Sequence, residues 1–358
     1  MTSRIPVTIL GATGVVGQRF ARRLAQHPLF EIAHLAASER SAGRRYADAC
    51  AWRLDGDPYA GLGDRILVDA AVDTAFAPVV FSALDSGPAS ELEPAFARAG
   101  ALVFSNASAF RMDPDVPLLV PEVNADHLAL LERQKHRWPG GIVCNPNCTA
   151  TVLVMALAPL EAAFGIEAVL MTSLQAVSGA GYPGVSSLDI LGNVIPFIRN
   201  EEEKVEEEVP KLLGRLLDGA LVPTPLAVSA LCHRVPVLEG HTEAVSVRLR
   251  GNPSIAQVRE ALHAWRPEPQ RLGLPSAPEV PIRLHDLEDR PQVRRDVEQD
   301  GGMSVHVGRL RPCPILGIKF SLLGHNTERG AAGGSVLNAE LAQAKGLLRA
   351  RAQAEVAR

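Results

Sequence analysis

The chain has 358 residues, more than one hydrophobic core usually organises, so two domains are expected. With 47% hydrophobic and 21% charged residues and a net charge of −4, it reads as a globular enzyme without the basic footprint of a nucleic-acid binder. No apolar stretch reaches membrane-spanning length, and the few residues before Ile5 are too short for a signal peptide, so a cytosolic protein with no membrane partner is expected. The five cysteines, Cys50, Cys144, Cys148, Cys232 and Cys313, form no C-x-x-C pair; neither a zinc ribbon, a disulfide framework nor any other metal site is expected.

Ile5 to Leu10 is apolar and β-branched and ends at Gly11-Ala12-Thr13-Gly14-Val15-Val16-Gly17, after which Gln18 to Gln26 has helical character. Strand, tight turn and helix in that order are the context a dinucleotide site requires. Gly11 permits the turn, Gly14 lets a pyrophosphate approach the backbone, and Gly17 lets the helix pack closely. The spacing is G-x-x-G-x-x-G, a variant of the usual fingerprint, and a glycine pattern without that context is weak evidence. A second strand over Glu31 to Ala37 stops at a polar stretch from Ser38 to Arg45. Its end bears on the choice of cofactor. Glu39 suits the ribose 2′-hydroxyl of NAD, whereas Ser38, Arg40 and Ser41 together make a phosphate-sized set of donors for NADP, the preferred reading; a solvated charged loop is the plain alternative.

Further strands at Val79 to Leu84 and Leu102 to Asn106 alternate with helical stretches such as Ala89 to Ala99, which implies a parallel, doubly wound sheet. Asn145-Pro146-Asn147-Cys148-Thr149-Ala150 then closes a polar turn and opens an apolar helix from Thr149 to Leu160. A lone cysteine ordinarily packs as a small hydrophobe. At a helix N-terminus, unpaired N–H groups and the dipole favour a thiolate, so Cys148 is expected to be nucleophilic near neutral pH. Beyond it, Glu167 to Leu174 and His241 to Leu249 read as strands of a second sheet. Pro267 to Gly302 reads as surface loops around short strands, and Ser335 to Ala354 as a terminal helix.

Eight segments together carry a resemblance: GATGVVGQRF at 11–20, ASERSAG at 37–43, SNASAFRM at 105–112, NPNCTA at 145–150, QAVSGAG at 175–181, NEEEK at 200–204, HRVPVLEGHTEAV at 233–245 and HNTERGAAGGSVLNAE at 325–340. In these segments and their order the chain resembles the aspartate-β-semialdehyde dehydrogenases, nearer the branch found in archaea and fungi. The resemblance covers nearly the whole length. It implies an α/β fold: a Rossmann-like doubly wound nucleotide-binding domain over residues 1–147, completed by a C-terminal helix within 328–358, and an α+β catalytic and dimerisation domain over 148–327. It implies NADPH-dependent reductive dephosphorylation of L-4-aspartyl phosphate to aspartate semialdehyde, with inorganic phosphate as product, by a homodimer or a tetramer of two dimers.

Residue by residue, the resemblance makes Cys148 the nucleophile and His241 the acid–base group, a role that suits an imidazole at neutral pH. Asn147 orients Cys148, and Gln175 contacts the acyl intermediate. Arg234 grips the α-carboxylate, Glu201 pairs with the α-ammonium, and Arg111 with Lys204 binds phosphate. Gly11, Thr13, Gly14, Val15, Val16, Ser38, Arg40, Ser41, Ser178, Gly179 and Asn326 fall at cofactor positions. His233, on the opposite face from Arg234 in an extended segment, is expected to be structural. Glu202, Glu203 and Glu206 to Glu208 are expected to form an exposed, salt-bridging helix face. Three alternatives stand beside this reading. A reductase of the malonyl-CoA type would use the same Cys, His and nucleotide turn, but its substrate has no ammonium for Glu201. The N-acetyl-γ-glutamyl-phosphate reductases share the architecture without the GHTE and EEEK segments. A non-catalytic NADP-binding paralogue would have no need of Cys148, His241, Arg234 and Arg111.

Overall fold

Short β-branched runs, each ended by glycine or a polar turn, build the N-terminal half as a parallel sheet with helices on both faces. The computed structural model describes residues 4–348. In chain order its main elements are β1 (Ile5–Leu10), α1 (Val15–Leu24), β2 (Phe30–Ala37), β3 (Val68–Asp69), β4 (Val79–Ser82), α2 (Ser86–Arg98), β5 (Leu102–Ser105), β6 (Gly141–Cys144) and α3 (Cys148–Phe164). There follow β7 (Ile166–Gln175), α4 (Glu201–Leu212), β8 (Arg215–Leu217), β9 (Ala220–Val222), β10 (Ala227–Arg234), β11 (His241–Leu249) and α5 (Ile255–His263). The last elements are β12 (Ile282–Leu284), β13 (Val305–Cys313), β14 (Gly317–Gly324) and α6 (Gly333–Ala344).

The first sheet has the order β3-β2-β1-β4-β5-β6, and every pairing in it is parallel. The order reverses between β1 and β4, which opens a crevice at their carboxyl ends, where the glycine turn lies. Strands β4, β5 and β6 are buried along their whole length, as a sheet covered on both faces requires. On one face Phe20, Phe81 and Phe104 pack with Val336 and Leu337 of α6; on the other, Phe96 of α2 packs with Val80 and Val103. The second sheet is mixed, in the order β10-β7-β11-β14-β13-β12. Helix α3 is buried on every side from Thr149 to Leu160 and joins the core cluster that includes Val169, Val245 and Leu322 of this sheet. An all-round apolar helix of this kind needs full enclosure, and here it finds it inside the protein. No helix among the described residues is long and apolar enough to cross a membrane.

Three long strands are not apparent in the sequence pattern. β10 is an edge strand whose outer residues, Ala227, Ser229, Leu231 and His233, are small or polar except for Leu231. β13 is broken by a register shift between Gly308 and Arg311, with Arg309 at φ 57°, and β14 begins and ends on glycine. The expected terminal helix starts at Gly333 rather than Ser335 and ends at Ala344, while residues 349–354 lie outside the described residues.

A charged knot ties α1 to the segment between β14 and α6. Glu328 Oε1 accepts from Arg19 Nη1 at 2.7 Å and from Arg22 Nη2 at 2.8 Å, and its other oxygen accepts from Arg23. Burial alone would raise the Glu328 pKa, but the charges of Arg23 and Arg19 hold it down to about 2. A carboxylate whose folded pKa is depressed stabilises the fold above its unfolded value, and that stabilisation is lost as the pH falls through the folded value. Glu328→Gln should therefore destabilise the protein at pH 7 by on the order of 3 kcal/mol. In denaturant titrations the gap from wild type should close as the pH falls from about 4.5 towards 2; a gap independent of pH would show that the Glu328 charge is not what matters.

Candidate active site

The glycine turn and the Cys148 turn face each other across one cleft of about 910 Å³. At one end lie Thr13, Gly14, Val15 and Val16. At the other lie Arg111, Asn147, Cys148, Glu201 and Lys204, with Ser178, Gly179 and Asn326 between. Helix α1 starts at Gly14 without a side-chain cap, so its first N–H groups are available to an anion. A Cβ on Gly17 would come within 2.1 Å of Gly11 O, so the close packing of α1 on the turn requires glycine there. Ser38, Arg40 and Ser41 lie outside this cleft, in a turn closed by Ser41 N–H donating to Ser38 O at 2.7 Å. Ser38 and Arg40 are exposed, and the turn continues β2 beside the glycine turn, where Ala12 N–H donates to Ala36 O. An uncapped helix start, a glycine-rich turn and a donor cluster at the next strand end fit a dinucleotide with a phosphorylated ribose.

Asn147 caps α3. Its Oδ1 accepts from the N–H of Thr149 at 2.9 Å and of Ala150 at 3.0 Å, and its Nδ2 donates to Glu201 Oε1 at 2.9 Å. Thr149 Oγ1 also donates to Glu201 Oε1, at 3.4 Å, so both bonds fall on one oxygen of that carboxylate. Cys148 Sγ is 3.3 Å from His241 Nε2. A Cβ on Gly330 would lie 2.6 Å from Cys148 Cβ, so the 325–332 segment closes against the cysteine only because residue 330 is glycine.

Arg234, Gln175 and His241 come from the ends of three neighbouring strands on the buried face of the second sheet. Arg234 Nη1 donates to Ala176 O at 2.7 Å, and Gln175 Nε2 donates to Ser173 Oγ at 3.1 Å. His241 Nδ1 accepts from Ala176 N–H at 3.2 Å, which leaves the proton of the neutral ring on Nε2, facing the sulfur. Gly179 covers this group: a Cβ there would lie 2.9 Å from Arg234 Nη1 and 3.2 Å from His241 Cε1. His233 turns to the opposite face of β10.

The electrostatics correct one expectation. Burial, joined by the Glu201 charge, pushes the Cys148 thiol up to about 12 against the opposing effect of Arg111, Arg234 and the Thr149 N–H. Burial first, and then the Arg234 charge, lower His241 to about 3. The resting pair is a neutral thiol beside a neutral imidazole, not a thiolate. Asn147 shares the helix N–H groups of Thr149 and Ala150 that would otherwise serve the anion alone, and desolvation outweighs what they still contribute.

A second correction concerns the acidic run on α4. Glu203 and Glu207 are exposed as expected, but Glu202 and Glu206 accept from Cys232 N–H and Ala230 N–H of the edge strand β10, each at 2.9 Å. Glu208 is 2% exposed and bonded to Arg111 and Asn147. Glu239 also escapes sequence reasoning. It accepts from Arg19 Nη2 at 2.5 Å, Ser178 Oγ at 2.8 Å and Thr327 Oγ1 at 3.1 Å, while Asn326 Nδ2 donates to Ser178 Oγ at 2.8 Å. Its place immediately before the Gly-His pair was the one available signal.

Two family models match this chain. Residues 6–131 match "Semialdehyde dehydrogenase, NAD binding domain" and residues 157–329 match "Semialdehyde dehydrogenase, dimerisation domain". An aspartate-semialdehyde dehydrogenase of Methanothermobacter thermautotrophicus is 50% identical over 344 residues, 94% of this chain and 98% of that protein. The chain belongs to the aspartate-semialdehyde dehydrogenase family. Another member, from Archaeoglobus fulgidus, is 49% identical over 94% of this chain and 98% of its own length. The structure of the Candida albicans member, solved with NADP, superposes with a TM-score of 0.89 at 41% identity, covering 96% of this chain and 99% of that one.

With the thiol pKa raised, only a small thiolate fraction exists near neutrality, and it grows tenfold per pH unit. Alkylation of Cys148 by iodoacetamide in the ligand-free protein, followed by peptide mass spectrometry, should rise by about that factor per unit from pH 6 to 9. A plateau above pH 7 would show a depressed pKa and a standing thiolate.

Proposed function

We propose that this chain catalyses the NADPH-dependent conversion of L-4-aspartyl phosphate to L-aspartate 4-semialdehyde and phosphate, in the cytosol. The step belongs to the biosynthesis of lysine through diaminopimelate, and of threonine, methionine and isoleucine. One observation carries the reading: Cys148, 3.3 Å from the buried His241, lines the same cleft as the glycine turn.

Arg234 holds the substrate α-carboxylate, and Glu201 receives the α-ammonium on Oε2, since Oε1 already accepts from Asn147 and Thr149. Arg111 and Lys204 receive the phosphoryl group at the same end of the cleft. With the substrate so held, Cys148 Sγ bonds to the acyl carbon, the carbon–oxygen bond to phosphate breaks, and the thiol proton leaves on the departing phosphate. The product of this step is a thioester on Cys148, which Gln175 would contact. Bound NADPH supplies the hydride that reduces the thioester. His241 Nε2–H donates to the oxygen that becomes negative as the thiohemiacetal forms. Collapse of that oxyanion breaks the carbon–sulfur bond and releases the aldehyde, and the freed Cys148 sulfur takes a proton from water. Gly11, Thr13, Gly14, Val15 and Val16 hold the cofactor diphosphate, Ser38, Arg40 and Ser41 its 2′-phosphate, and Ser178, Gly179 and Asn326 its nicotinamide end.

The second sheet supports assembly of a homodimer or a tetramer of two dimers. Its outer face exposes Leu170 at 47%, Leu174 at 41% and Leu231 at 57%, grouped around Thr172, and a second copy would cover them. A stable monomer in light scattering would exclude that assembly.

Given aspartate semialdehyde, the enzyme should reduce NADP faster than NAD, and only with phosphate present in sustained turnover. Cys148→Ser should lose at least about a thousandfold of that rate while still binding NADPH. Efficient reduction of malonyl-CoA without any phosphate requirement would replace this reading with the acyl-CoA reductase one.

A further inference from the structure

Glu208 occupies a position that the roles above do not use. It lies on α4 two turns beyond Glu201 and is 2% exposed. Its Oε1 accepts from Arg111 Nη1 at 3.0 Å and its Oε2 accepts from Asn147 N–H at 2.5 Å. Arg111 sits in the loop after β5 and Asn147 in the turn between β6 and α3, so one carboxylate from α4 joins two loops that leave the first sheet. The Arg111 guanidinium is fixed at a second point, since Nη2 donates to Asn106 O at 2.8 Å. Its Nε–H is buried with no partner among the described residues, although the side chain lines the same cleft as Cys148. A guanidinium held at both terminal nitrogens, with its Nε–H and one hydrogen on each terminal nitrogen unspent, is posed for a ligand rather than packed for stability.

We infer that Glu208 is a positioning residue for the phosphate subsite: it fixes Arg111 relative to the Asn147-Cys148 turn and offsets its charge. This rests on the reading of Arg111 and Lys204 as the phosphate-binding pair. Because Glu208 compensates Arg111, that residue contributes directed hydrogen bonds with little net charge, and Lys204, one turn earlier on the same helix, supplies the attraction. The anion is therefore well aimed at the acyl carbon but not tightly held, as suits a group that must leave in one direction and attack in the other.

Charge and reach can be separated by two substitutions, assayed in the oxidative direction with aspartate semialdehyde, NADP and inorganic phosphate. Glu208→Gln removes the compensating charge, so the KM for phosphate should fall by about fivefold. The loosened guanidinium should meanwhile lower kcat by about tenfold to a hundredfold. Glu208→Asp keeps the charge but is too short to span both partners, so kcat should fall with the phosphate KM unchanged. In an Arg111→Leu background, Glu208→Gln should no longer shift the phosphate KM. A purely structural Glu208 would raise KM or leave it unchanged in Glu208→Gln, or shift it equally in the Arg111→Leu background, and either result overturns the inference. If Glu208→Gln fails to fold, Glu208→Asp decides: an unchanged kcat overturns the inference, and a lowered kcat at constant KM supports it. A wild-type enzyme indifferent to phosphate would instead remove the underlying reading of the subsite.

Discussion

Helix α3 is apolar around its whole circumference, so it can exist only where protein encloses it on every side, and the rest of the site follows from that enclosure. The helix leaves the first sheet directly after β6 and runs into the core shared with the second sheet. Its first residue, Cys148, therefore stands where the carboxyl ends of the first sheet meet the ends of β7, β10 and β11. Strand pairing then sets the distances: Arg234 opposite Gln175, and Thr242 opposite Leu174, bring Arg234 and His241 to the same level as Gln175 without any loop having to find them. Loops in contrast would place such groups less accurately.

Bringing a thiol, an imidazole and two guanidinium groups into one buried place has an electrostatic consequence. Desolvation disfavours every charge that lacks a partner, so Cys148 and His241 rest neutral, while the arginines keep their charges by holding carboxylates or carbonyls. Arg111 has Glu208, and Arg19 has Glu239 and Glu328. The chemistry proposed here uses that restraint. A neutral thiol sheds its proton with the leaving phosphate, so no standing thiolate is exposed to oxidants or stray electrophiles. The Arg19, Glu239 and Glu328 group extends the same logic along the cleft: it links α1, which begins at the glycine turn, to Ser178 and Thr327 in the cleft wall.

What the sequence displayed was local. The glycine turn, Cys148 at the head of its helix and His241 at the head of β11 each sit at an element boundary, and a boundary is written in neighbouring residues. Partners remote in sequence were not visible. Glu208 meets Arg111 across 97 residues, and its acidic neighbours look like a solvated helix face until β10 is seen to offer its unpaired N–H groups to Glu202 and Glu206. Gly330 looks like one more glycine in a glycine-rich stretch, yet it alone permits that segment to lie against Cys148. The thiol pKa failed for a related reason. A helix N-terminus is legible in sequence, but the cap that shares its N–H groups and the burial that outweighs its dipole depend on packing.

The central claim is that hydride transfer and phosphate transfer are separate events joined by an acyl group on Cys148, and a single-turnover experiment tests it most directly. Enzyme mixed with aspartate semialdehyde and NADP in the absence of phosphate should produce a burst approaching one NADPH per active site. The protein should carry the acyl adduct on Cys148, and added phosphate should discharge it. If no NADPH forms until phosphate is present, and no adduct is found on Cys148, the covalent account of this site is wrong.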